Sequence, residues 1–267
     1  MPGNAWWNRG VATVVFLHAH PDDEAIFTGG TMAALADAGH RVVVVFATDG
    51  GLGVPAEGDD PLRAVRTAES EVAARTLGVA RVVFLDHADS GLDAGVLDGH
   101  AFASTAVAVI AEELEAVLLD EGADALVSYD EGGIYPHPDH LHVHRVGRAA
   151  AAGAGTPTLY EATVDREHLH FVETHLVVEA TGSIPGLLGA DPALRLSAWT
   201  IGSPTVLIDL SIDVGAFVDR KRAAMEAHES QISDGSSARA LDAVAFAQVY
   251  GTEWFLRAGP PGPLDTL

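Results

Sequence analysis

Val11-Ala-Thr-Val-Val-Phe-Leu17-His18-Ala-His20-Pro-Asp-Asp23-Glu24 is an apolar, β-branched run that stops abruptly in histidine, proline and three consecutive acids. A strand covered on both faces reads as such a continuous apolar run. The loop beyond its C-terminal end is where open α/β sheets place their ligands. The run follows one arginine, but it is short, meets polar residues at once and lacks a small-residue cleavage site. It therefore reads as a first strand and not as a secretory signal.

The same alternation continues outward. Val- and Leu-rich segments at residues 41–47, 81–85, 124–128 and 156–160 are separated by Ala- and Leu-rich helical stretches at 28–38, 61–77, 101–120 and 140–152. Gly39, Gly78 and Gly122 stand where helices stop. Such βαβ units predict an α/β, Rossmann-like fold with a parallel sheet in the order 3-2-1-4-5. Past Glu161 the alternation decays, leaving strands near 174–179 and 205–212 and helices near 214–230 and 239–250. The expected organisation is a catalytic core over residues 1–160 and a C-terminal α+β capping region of the same domain over 161–267. The proline-containing tail, 259–267, is expected to be loosely ordered.

Composition narrows the function. Of 267 residues, 48% are hydrophobic and 20% charged, enough for a sizeable core. Fifteen Lys and Arg against 38 Asp and Glu give a formal charge of −23, which repels phosphate backbones and anionic lipid, so nucleic acid and membrane surfaces are not expected partners. No segment has the roughly 18 uninterrupted apolar residues of a membrane span, and a cytoplasmic location is expected. Cysteine is absent, which leaves His and carboxylate as the strong metal ligands.

Two loops carry the chemistry. In the first, the i, i+3 spacing of His20 and Asp23 lets both side chains converge on one ion if the loop enters a helical turn. Asp22 lies between them and projects differently, as a general base beside a metal-bound water requires. The alternative for the acids alone is a cluster at a helix N-terminus, favoured by the helix dipole. The second loop, Tyr135-Pro-His137-Pro-Asp139-His140-Leu-His142-Val-His144, also follows a strand. Proline suits the first helical position, so Pro138 puts His137 at the cap and His140 about one turn further on. Four histidines in such a stretch can also form a solvated helix face.

In a 3-2-1-4-5 sheet, however, both loops meet at the topological switch point. His20, Asp23 and one histidine of the second loop then make a two-His, one-carboxylate set with an open position for water. Zinc is preferred, but the same donors hold iron(II), so oxygenase chemistry is a rival. His144 shares a helix face with His140 at i, i+4 and is the rival ligand. His40, His87, His100, His168 and His170 read as surface or loop residues. Gly50-Gly51-Leu-Gly53 follows the second strand and is cut off by Pro55, which argues against a dinucleotide loop.

His20-Pro-Asp-Asp-Glu24 after a first strand, with His137-Pro-Asp-His140 opening a later helix, resembles the PIG-L/LmbE-like family of zinc-dependent N-acetylglucosaminyl deacetylases, of the mycothiol-pathway and glycoconjugate type. Ala47-Thr-Asp-Gly50, Arg66-Thr-Ala-Glu69, Asp89-Ser-Gly-Leu92, Lys221 and His228-Glu-Ser-Gln231 extend the likeness over most of the chain. The resemblance implies His20, Asp23 and His140 as metal ligands and Asp22 as general base. It also implies His137 as a charged hydrogen-bond donor and acid, with Asp139 orienting its ring and Tyr135 approaching the oxyanion. Arg66 and Asp89 match substrate-contacting positions. Gly51 departs from the pattern, since many relatives carry an acid there. The implied reaction releases acetate from an N-acetylglucosamine-type small-molecule conjugate, with amidase action on thiol-conjugate pseudodisaccharides as runner-up. A sugar- or metal-binding protein without turnover is the reading from another class.

Overall fold

A computed structural model of the chain describes residues 10–55, 61–92, 99, 101–172, 201–232 and 236–267. Its elements run β1 (Thr13–His18), α1 (Asp23–Phe27), α2 (Gly29–Asp37), β2 (Arg41–Thr48), α3 (Leu62–Leu77), β3 (Arg81–His87), α4 (Val107–Glu121), β4 (Ala125–Tyr129), α5 (Pro138–Ala154), β5 (Thr158–Thr163) and α6 (Arg166–Phe171). Then follow β6 (Leu210–Asp213), α7 (Val218–Ala227), α8 (Ser237–Ala240), α9 (Ala243–Tyr250) and β7 (Thr252–Ala258).

One seven-stranded sheet has the order β3-β2-β1-β4-β5-β7-β6. The first five strands are parallel, in the expected 3-2-1-4-5 order, with Val14 opposite Val42 on one side and Ala125 on the other. Val14 to Leu17 of β1 and Val42 to Ala47 of β2 are fully buried, which is why these strands are apolar without alternation. Gly78 and Gly122 end α3 and α4 in the left-handed conformation that a residue without a Cβ adopts freely.

The later part of the chain departs from the sequence pattern. β7 pairs antiparallel with β5, and β6 with β7, so the sheet continues beyond its parallel core. β7 was not expected, because Thr252–Ala258 carries Glu253, Trp254 and Arg257 and lacks the Val-rich signature of a central strand. The strand expected over 205–212 shortens to Leu210–Asp213, behind a 3-10 turn at Thr205–Leu207. The helix expected over 239–250 breaks where Asp242 caps a new helix by accepting the Ala245 N–H at 2.8 Å. The strand expected near 174–179 lies outside the described residues. The tail is not loose: Leu264 is buried, and the Tyr160 hydroxyl donates to Asp265 Oδ2 at 2.6 Å. β7 delivers the tail to the sheet beside β5, where Leu264 finds apolar cover and Asp265 finds donors.

Candidate active site

β1 and β4 are adjacent, yet the chain leaves β1 towards β2 and β3 and leaves β4 towards β5. Such a switch point is where open α/β sheets place their ligands, at the strand ends. There meet the loop between β1 and α1 with the first residue of α1, carrying His20 to Asp23, and the loop between β4 and α5 with the first turn of α5, carrying Tyr135 to His140.

His20, Asp23 and His140 offer ligand atoms that all lie within 4.8 Å of one another. The Nδ1 of His140 lies 2.9 Å from the Gly133 carbonyl. A carbonyl only accepts, so Nδ1 carries the proton and the Nε2 lone pair of the neutral ring points inward. That Nε2 is buried without a hydrogen-bond partner, 3.3 Å from Asp23 Oδ2. His20 is arranged likewise: Nε2–H donates to Asp139 Oδ2 at 3.2 Å, while Nδ1 faces Asp23 Oδ2 at 3.4 Å. His20 Nδ1 and His140 Nε2 thus converge on one carboxylate, which is a donor set that fits a divalent cation once His20 gives up its Nδ1 proton.

Burial opposes charge on His20, but its bonds to Asp139, Asp23 and Asp89 outweigh that and hold its proton affinity well above the ordinary range, so without a cation the ring keeps a proton on Nδ1 that a bound metal would displace. Burial also opposes charge on Asp23, and His140 and His20 overcome it, keeping this carboxylate ionised well below the usual range. His144, the rival ligand, faces elsewhere: its Nδ1 lies 3.0 Å from the Tyr129 carbonyl and 3.2 Å from Glu161 Oε1.

Asp22 precedes α1 and makes no side-chain cap to it, so the acids do not serve only the helix terminus. Its side chain is 21% exposed, against 5% for Asp23. Burial pushes its pKa up to about 6, against the lowering effect of Arg66, which suits a proton acceptor near neutrality.

His137 caps α5, its Nδ1 accepting the Asp139 N–H at 3.1 Å, so the neutral ring carries its proton on Nε2. Burial, reinforced by His20 and His140, lowers its pKa to about 3. The resemblance implies a charged donor at this position, whereas the protein surroundings alone favour the neutral ring. The carboxylate of Asp139 makes no hydrogen bond to the His137 ring. It accepts from His20 Nε2 and, at 3.0 Å, from the Ser90 N–H, and only the backbone N–H of Asp139 orients His137. The Tyr135 ring stacks obliquely on His140, with centroids 4.2 Å apart. Burial and nearby carboxylates keep its phenol protonated.

Arg66 and Asp89 reach the site in different ways. Arg66 is 3% exposed, and its guanidinium donates to the carbonyls of Pro21 and Gly50 and lies 3.4 Å from Asp22 Oδ2. It links the loop after β1 to the loop after β2 instead of projecting into open space. Asp89 accepts from the N–H groups of Leu52 and Gly91 and stands 3.6 Å from His20 Nε2.

Two buried residues without a place in the sequence-derived site complete the shell. Glu24 accepts the Asp22 N–H at 2.9 Å and meets His228 Nε2 at 2.6 Å. No local signal joins them, since 204 residues separate the pair.

Scaffold and site together define a doubly wound α/β protein with a candidate two-His, one-carboxylate metal centre at its switch point. The chain belongs to the family described as PIG-L: GlcNAc-PI de-N-acetylase, which matches residues 15–151. It is 31% identical over 270 residues to the 1D-myo-inositol 2-acetamido-2-deoxy-alpha-D-glucopyranoside deacetylase of Thermobifida fusca (strain YX), covering 94% of each chain. Among solved structures it resembles the N,N'-diacetylchitobiose deacetylase from Pyrococcus horikoshii, with TM-score 0.56, 22% identity and coverage of 92% of this chain and 83% of that one. It also resembles GalB, the 4-carboxy-2-hydroxymuconate hydratase of a Pseudomonas, with TM-score 0.55, 17% identity and coverage of 94% and 98%. One scaffold thus carries different chemistries, and the reaction has to be argued from the site.

Proposed function

We propose that this chain is a zinc-dependent deacetylase that hydrolyses the N-acetyl amide of an N-acetylglucosamine-type sugar conjugate, releasing acetate and the free amino sugar. The observation that carries this reading is the convergence of His20 Nδ1 and His140 Nε2 on Asp23, with the more exposed Asp22 adjacent. The inositol-linked substrate of the relatives supports the sugar class.

His20, Asp23 and His140 would hold the metal. When bound, a divalent cation supplies a Lewis acid for the acyl oxygen and lowers the pKa of a water. Asp22 accepts the proton that this water loses as it attacks the acyl carbon. His137, through Nε2–H, and the Tyr135 phenol donate to the oxyanion of the tetrahedral intermediate, and neutral donors suffice for this. Asp22 then returns its proton to the departing nitrogen as the C–N bond breaks. Asp139 fixes the His20 ring, while Arg66 holds Asp22 and Asp89 borders the sugar subsite. All these residues lie within residues 1–160, the proposed catalytic core, while the described residues beyond it extend the sheet through β7 and β6.

Acetate release from a panel of N-acetyl sugar conjugates, using protein stripped of metal and reloaded with zinc or iron(II), tests the reading. Turnover restored by zinc is expected. No acetate from any conjugate with any metal would sink it, and restoration by iron(II) alone would overturn the choice of zinc.

A further inference from the structure

The backbone of Asp22 stands at φ 117°, ψ −32°, a region that residues with a Cβ seldom occupy and that persists only where neighbours impose it. Its carbonyl accepts from Ala25 N and Ile26 N at 3.1 and 3.2 Å, bonds open to any residue that starts a helix and therefore not selective for this geometry. Its N–H is different, because it donates to Glu24 Oε2 at 2.9 Å, so this carboxylate, together with Arg66 on the Pro21 carbonyl of the same peptide plane, sets the rotation about φ.

That carboxylate is itself held. Glu24 and His228 are both fully buried, and His228 Nε2–H donates to Glu24 Oε1 at 2.6 Å. A buried carboxylate deprived of its partner turns towards solvent or takes up a proton; the first change releases the Asp22 N–H, and the second weakens its bond because a neutral carboxyl is a poorer acceptor. His228 has anchors independent of Glu24. Its carbonyl accepts from Gln231 N and Ile232 N. Ser230 donates twice to Glu69 of α3, at 2.7 Å each. Gln231 exchanges two bonds of 2.9 Å with Val54, donating through Nε2 and accepting through Oε1. The turn after α7 is thus fastened to α3 and to the loop after β2, and it presents His228 to Glu24 from a fixed base.

We propose that His228 is a positioning residue for Asp22: acting through Glu24, it keeps the Asp22 backbone at positive φ so that the carboxylate stays beside the His20, Asp23 and His140 cluster. His228 touches no reacting atom. The inference rests on the reading of Asp22 as general base.

His228→Phe keeps a ring of similar size but removes the donor, and His228→Gln restores an N–H that reaches Glu24. Both are compared with the wild type as zinc-loaded protein, using 1D-myo-inositol 2-acetamido-2-deoxy-alpha-D-glucopyranoside. For His228→Phe, kcat falls about tenfold or more, as expected for a misplaced catalytic group, while KM stays within about twofold and one zinc is retained. A crystal structure of this variant shows Asp22 out of the positive-φ region, and His228→Gln recovers most of the lost kcat. The proposal is overturned if Asp22 keeps its φ in His228→Phe, if kcat is unchanged, or if both variants lose activity only in step with zinc or folded protein. A wild type that releases no acetate defeats the deacetylase reading instead, and the Asp22 φ in His228→Phe still decides the brace.

Discussion

Gly133→Ala tests the argument that a backbone carbonyl sets the tautomer of His140. Gly133 sits at φ +69°, and a Cβ there would lie 2.8 Å from His140 C and Cβ and 2.9 Å from Leu141 N. These atoms belong to backbone and helix stem, so they cannot simply rotate away. The loop is pinned on both sides: Gly133 N donates to the Asp130 carbonyl at 2.9 Å, Ile134 N to Asp130 Oδ1 at 2.8 Å, and Gly202 N to the Ile134 carbonyl at 2.7 Å. Relief therefore separates the Gly133 carbonyl from His140 by some tenths of an ångström and lengthens the 2.9 Å bond to Nδ1. Left-handed strain alone costs roughly 1–2 kcal/mol. A total loss of about 2 kcal/mol corresponds to roughly 4–8 °C in unfolding midpoint for a chain of this size. Disturbing an outer partner of a ligating histidine lowers metal affinity by about 10- to 100-fold. Chelator competition and thermal unfolding measure the two effects. Gly132→Ala is the control, since its nearest new contact is Asp130 Oδ1 at 3.4 Å. If Gly133→Ala binds zinc as the wild type does, the role given to this carbonyl is wrong.

Three further outcomes are expected. Asp22→Asn lowers turnover about a hundredfold or more, because proton transfer is lost, while zinc content by elemental analysis stays at the wild-type level; undiminished turnover would remove Asp22 from the mechanism. Lys221→Met strips the partner from buried Glu253, whose Oε1 lies 2.7 Å from Lys221 Nζ and whose two oxygens also accept Gly30 N and Thr31 N at 2.8 Å. The expected loss is about 3–5 kcal/mol in urea unfolding, and a loss below about 1 kcal/mol contradicts the picture of an uncompensated buried charge. Burial lowers the pKa of His18 from 6.5 to about 4. The unfolded chain therefore binds this proton first, and stability falls as pH drops from 6.5 towards 4, by about 3 kcal/mol across the window. His18→Gln removes that component, so wild-type and variant urea midpoints that decline in parallel between about pH 7.5 and about pH 4.5 would refute it.

The parallel half of the sheet and the converging loops were legible because their causes are local. A run such as residues 11–17 has to be covered on both faces, and a helix opening at Pro138 puts His137 and His140 one turn apart whatever surrounds them. The acids at 22–24 were ambiguous on the same local grounds, and it took the unequal exposure of Asp22 and Asp23 to separate them. Tertiary structure alone decided the partners. Asp139, two residues from His137, spends its carboxylate on His20 and Ser90. Arg66 turns inward onto Pro21 and Gly50. Thr252–Ala258 becomes a strand because the open edge of β5 supplies what its own composition does not signal. The three acids beyond the first strand marked the site from sequence, but Glu24, which accepts the Asp22 N–H, meets its own buried partner in His228, 204 residues away. Hydrogen bonds and buried charges choose partners by distance in space, and a linear pattern records only neighbours along the chain.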